Sequence, residues 1–153
     1  MGMEGTDSRM TGKLIDSLYV EAMLLADEAR AYFDRNGRAD RMALDPLVRV
    51  GFSCESLKVT TRLMHVIAWL LTQRAVENGE LTPSQAQRPS RRLGQAAESD
   101  QELLGRLPVA ALQLVQASRD LYARVQRLDE GSLGLEPQAS PARSLLSRLE
   151  RSF

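Results

Sequence analysis

DPLVRVGFSCESLKVTTRLMHVIAWLLTQRAVENG, residues 45–79, reads as one helix of more than thirty residues. Asp45 is placed to cap it, and Pro46 suits the first helical position, where its missing N–H costs nothing. Gly79 follows the last helical residue, where a left-handed stop belongs. Two apolar stripes run along this segment on opposite sides. One is Val50, Cys54, Leu57, Thr61, Met64, Ala68 and Leu71; the other is Phe52, Val59, Leu63, Val66 and Leu70, interrupted by Ser56. Between them runs a polar stripe of Glu55, Lys58, Arg62, His65 and Thr72, with Trp69 among them. A helix that is apolar on two sides must be covered twice, by its own chain, by a second subunit, or by both.

Working outward, a second long helix is expected upstream, from about Thr11 to Asp34. Its seam is Ile15, Leu18, Ala22, Leu25, Ala29 and Tyr32 at alternating spacings of three and four. Asn36-Gly37 supplies its stop. Downstream, residues 80–107 read as irregular. Thr82-Pro83 can start a short helix, Pro89 breaks it, and Arg88, Arg91 and Arg92 are expected in the open. Ser99 or Asp100 can cap one further turn through Leu104. A third long helix is expected from near Pro108 to Glu130, with the seam Ala111, Leu114, Ser118, Leu121, Val125 and Leu128. No strand-like alternation or hairpin signal is present. The expected fold is all-α: an up-down-up three-helix bundle, dimeric through spare apolar surface.

The domain reading is a flexible N-terminus over 1–10, a bundle over 11–130, and a linker with an amphipathic tail over 131–153. In that tail Leu145, Leu146, Leu149 and Phe153, with Ala142 before them, fall on one helical face. Arg143, Ser147, Arg148, Glu150 and Arg151 oppose them. A helix this short is marginal alone in water, so it is expected to order only against a surface, either a partner's or that of its own bundle. Its four large apolar residues are candidate protein-binding groups.

Composition narrows the function. The 153 residues carry no formal net charge, so no bulk field draws the protein to nucleic acid or an anionic membrane. The longest apolar run, Leu63 to Leu71, falls well short of the roughly twenty residues that cross a bilayer. One cysteine and one histidine, diverging on the same helix, give no basis for a metal site. Ser53-Cys54-Glu55-Ser56 diverge by about 100° per residue on a helix and form no triad. No phosphate-binding loop or nucleophile elbow exists. The sequence therefore predicts a cytoplasmic protein without cofactor, metal or catalytic residues.

Protein binding has positive support. Val50, Cys54, Leu57, Met64 and Leu71 are candidates for a dimer or core seam. Arg62 and Trp69 are candidate interface anchors, since arginines and aromatics dominate interface energetics; for Trp69 the alternative is burial under residues 80–107. The rival reading is a small DNA-associated regulator using Arg88, Arg91, Arg92, Arg119, Arg124 and Arg127. Against it stand the absence of a compact helix-turn-helix and an acidic first helix (Asp16, Glu21, Asp27, Glu28, Asp34). An enzyme is the third option, to be revived only by a deep polar pocket.

Two stretches carry a family resemblance: LYVEAMLLADEARAYF, residues 18–33, and FSCESLKVTTRLM, residues 52–64, continuing through IAWLL at 67–71. They resemble the alphaproteobacterial family DUF1465, which includes a regulator of CtrA degradation. The resemblance implies a helical bundle that pairs as a homodimer. It also implies an adaptor role, bridging regulatory proteins to the ClpXP protease through ClpX during the cell cycle, alongside the response regulator CpdR. No residue-level client motif carries over.

Overall fold

In the computed structural model the backbone is described for residues 2–133 and the side chains for residues 11–132. The described residues hold helices and no strand. Six α-helices follow in order: α1 (Gly2–Ala31), α2 (Arg38–Met42), α3 (Pro46–Glu77), α4 (Pro83–Ala86), α5 (Gln101–Leu104) and α6 (Val109–Leu133).

The long helix foreseen from residue 45 is α3, 32 residues and so about 48 Å long. Pro46 opens it as expected, but the Asp45 side chain makes no capping bond. Gly79 takes the left-handed φ of +77° that ends it. α1 begins upstream of the expected Thr11 and runs on through a wider turn, Tyr32–Asn36, before Gly37. Gly37 is not left-handed there. Its amide donates to Tyr32 O at 2.6 Å, and a Cβ would sit 2.7 Å from that oxygen, so close approach is what requires the glycine.

Both flanking seams are buried as their spacing predicted. Ile15, Leu18, Ala22 and Ala29 from α1, with Tyr32 from the turn after it, meet Phe52, Val59, Leu63, Val66 and Leu70 from α3. Ala111, Leu114, Val115, Leu121 and Val125 close the core from α6.

The direction of α6 differs from the expected up-down-up order. Arg74 reaches Asp16 while Phe33 stacks on Phe52, so α3 runs antiparallel to α1. Arg62 meets Ser118 and Trp69 meets Asp129, so α6 runs parallel to α3. Residues 78–108 make this possible by travelling back along the length of α3. Arg92 lies by Asp129, Gly94 by Tyr122, Ser99 by Glu55, and Leu103 by Gly51. This connection acts as a strap across α3 and α6. Short loops favour antiparallel neighbours, and a connection of this length removes that constraint.

Candidate functional site

The strap decides which sides of α3 are closed. Glu55, Arg62 and Trp69, seven residues apart along α3, all face it and are buried. Arg62, 3% exposed, donates from Nη2 to Ala97 O at 3.1 Å and Ser99 Oγ at 2.8 Å, and from Nη1 to Ser118 Oγ at 3.3 Å. Ser99 donates in turn to Glu55 Oε2, and Lys58 and the Asp100 amide donate to Glu55 Oε1. Burial pulls the Arg62 guanidinium below its ordinary value, and the Glu55 carboxylate pulls the other way. These bonds tie Ala97, Ser99 and Asp100 of the strap to α3 and, through Ser118, to α6, so the arrangement is a structural bracket that staples strap to helix.

A second bracket lies near the end of α3. Trp69 donates from Nε1 to Asp129 Oδ1 at 2.9 Å, and Arg92 pairs with the same carboxylate through two nitrogens at 2.7 and 2.9 Å. That pairing raises Arg92 above its ordinary value. Arg62, expected as an anchor for a partner, is therefore buried by the strap, and so is Trp69, in line with the alternative of burial under residues 80–107. Arg92, expected in the open, is tied down. The polar stripe that holds Glu55, Arg62 and Trp69 is the third contact face of α3.

The opposite side of α3 is bare. Leu47, Val50, Leu57, Met64 and Leu71 are exposed, Leu57 at 68%, and Cys54, Thr61 and Ala68 are exposed between them. The intervals from Leu47 to Leu71 are three, four, three, four, three, four and three. That is a heptad seam with small residues at alternate positions, which lets another helix approach closely. The candidate seam Val50, Cys54, Leu57, Met64 and Leu71 is thus one continuous surface and no part of the core. Leu47, which extends it by one position, is missing from the sequence reading because it lies in the first helical turn. On the neighbouring edge, α1 adds Met23, and Val20 and Leu24 are exposed beyond it.

The described residues offer little for chemistry. They contain no group of three or more His, Cys, Asp or Glu placed to hold a metal. Cys54 is a free, exposed thiol. A polar hollow of about 520 Å³ beside Arg62, lined by Gln95, Gln116, Arg119 and Tyr122, has its buried guanidinium already satisfied by protein oxygens. Arg124 pairs with Glu21 and Arg92 with Asp129, so two of the six arginines named for a nucleic-acid role are engaged by carboxylates. No described helix is long and apolar enough to cross a membrane. The tail candidates Leu145, Leu146, Leu149 and Phe153 lie outside the described residues.

Among the described residues the chain is all-helical and carries an exposed apolar face along α3. The family model for the protein of unknown function DUF1465 matches residues 6–153, and the chain belongs to that family. Among solved structures it is similar to the crystal structure of RcdA from Caulobacter crescentus CB15. Identity is 38%, the match covers 78% of this chain and 90% of that one, and the TM-score is 0.63. No curated protein matches the chain.

Proposed function

We propose that this protein is a non-catalytic adaptor that pairs as a homodimer through the outer face of α3 and delivers regulatory proteins to ClpXP. The single observation that carries the binding reading is the uncovered heptad seam from Leu47 to Leu71. A seam of this length and regularity, left in water, is what an absent helix would cover. A second copy offers the same seam and satisfies the self-complementarity of a two-fold interface.

The delivery role rests on family membership together with the resemblance drawn from residues 18–33 and 52–71. In this reading the protein works in the cytoplasm with ClpX and a CpdR-like response regulator. The dimer presents the client, and the apolar residues Leu145, Leu146, Leu149 and Phe153 of the tail engage a partner. A reconstituted degradation assay tests it. Wild-type protein should speed client loss by ClpXP in the presence of the response regulator. Leu146→Asp/Leu149→Asp should reduce that gain while leaving the melting temperature unchanged. Equal client loss with and without the protein would refute the reading, and steeply salt-dependent retention on DNA would favour a nucleic-acid role instead.

A further inference from the structure

The outer seam of α3 separates by size. One set of its positions, Leu47, Cys54, Thr61 and Ala68, is small after Leu47. The other set, Val50, Leu57, Met64 and Leu71, is large throughout. All of these residues are exposed, and from end to end the seam is about 36 Å long. Between residues 47 and 71 the positions flanking it hold one lysine, Lys58, and no arginine or carboxylate. Lys58 donates to Glu55 Oε1 of its own chain at 3.1 Å, so its charge is answered from beneath. Charged flanks commonly fix the direction in which two helices pair, and these flanks do not. Direction is left to the shape of the seam.

Two parallel copies set each seam residue opposite its own counterpart. Leu57 then meets the partner's Leu57, and Ala68 the partner's Ala68. Wide and narrow layers alternate, and the narrow ones leave voids. Reversing one helix exchanges the two sets, so that small positions oppose large ones. With a two-fold axis at Val59, Leu57 faces the partner's Thr61, Cys54 the partner's Met64, and Val50 the partner's Ala68. Each of these layers holds one large and one small side chain, and the helices can approach evenly and closely. Leu47 and the partner's Leu71 close both ends. A slip of seven residues would leave two seam residues of each copy in water, at the cost of their burial.

We infer that two copies of α3 run antiparallel about an axis near Val59, interlocked large against small. This pairing rests on the homodimer proposed above and adds its direction and register. It also sets the reach of the assembly. Gly131 and Ser132 of α6 lie beside Gln73 of α3. Gln73 is about 21 Å along the helix from Val59, so the two α6 ends stand about 42 Å apart, at opposite ends of the dimer. A dimer of this kind offers its α6 ends to two partners at once, whereas a parallel one sets them side by side.

Cysteine cross-linking of the full chain tests the direction. Cys54 should stand about 15 Å along the helix from the partner's Cys54, beyond disulfide reach, and next to the partner's Met64. Under mild oxidation the wild-type dimer should therefore stay uncross-linked, and Met64→Cys should convert most of the protein to covalent dimer. Met64→Cys/Cys54→Ser should not, because the two introduced thiols are again about 15 Å apart. A cross-linked wild type would overturn the pairing in favour of parallel helices. So would a dimeric Met64→Cys that fails to cross-link. Should that variant unsettle the interface, a spin label on Glu77→Cys in a Cys54→Ser background reads the direction separately. About 50 Å between the two labels is expected, and less than about 30 Å would overturn the pairing. A monomer in sedimentation removes the homodimer itself, whereas a dimer of the wrong direction removes only this arrangement.

Discussion

The two sides of α3 invert the usual placement of residues. Its inner side buries Glu55 and Arg62 under the strap, and its outer side leaves Val50, Leu57 and Met64 in water. Charges leave water only when partners replace the solvent, and here Ser99, Ser118, Ala97 O and Lys58 do so. The apolar side has no such compensation within the described chain. A buried side that is chemically complete and an exposed side that is not point to different roles: one holds the fold together, the other waits for a polypeptide.

The largest effect should come from breaking the inner side. Arg62→Ala removes the buried guanidinium that bonds Ser99, Ala97 O and Ser118, freeing the strap from α3 and leaving Lys58 as the one ion-pair partner of the buried Glu55 carboxylate among the described residues. A loss of about 3–5 kcal/mol is expected in urea unfolding. A change below about 1 kcal/mol would mean that water readily replaces the guanidinium. Asp129→Ala removes the acceptor shared by Trp69 and Arg92 and should cost about 2–3 kcal/mol, read from the same unfolding curve. Gly37→Ala forces a methyl against Tyr32 and should cost about 1–3 kcal/mol, with a lowered melting temperature as the measure. The outer side should answer differently. Leu57→Asp and Met64→Asp should each shift the stability of the monomer by less than about 0.5 kcal/mol, because neither side chain contributes to the core.

The contrast between the two sides was only half legible in the sequence. Apolar period located α1, α3 and α6 and their core seams, since burial of one face is what that period reports. It also separated the two stripes of α3, and Val50, Cys54, Leu57, Met64 and Leu71 do form a single surface. The up-down-up order expected from it placed α6 in the wrong direction, because residues 80–107 are long enough to return the chain to either end. It also misplaced Arg62 and left Trp69 open between an interface and burial under residues 80–107. Arg62 reads singly as a surface or interface residue, and the strap that buries both has no periodicity to announce it. One signal was present: Ser118 sits inside an otherwise apolar seam on α6 and is fully buried, so a polar group had to face it. The heptad spacing of Glu55, Arg62 and Trp69 supplied that group.

The measurement that most directly tests the unfinished outer side is sedimentation equilibrium of the full chain at tens of micromolar, beside Leu57→Asp/Met64→Asp under the same conditions. A dimer for the wild type and a monomer of unchanged melting temperature for the variant are predicted. A monomeric wild type, or a variant that still dimerises, would contradict the assignment of the α3 seam to a second copy.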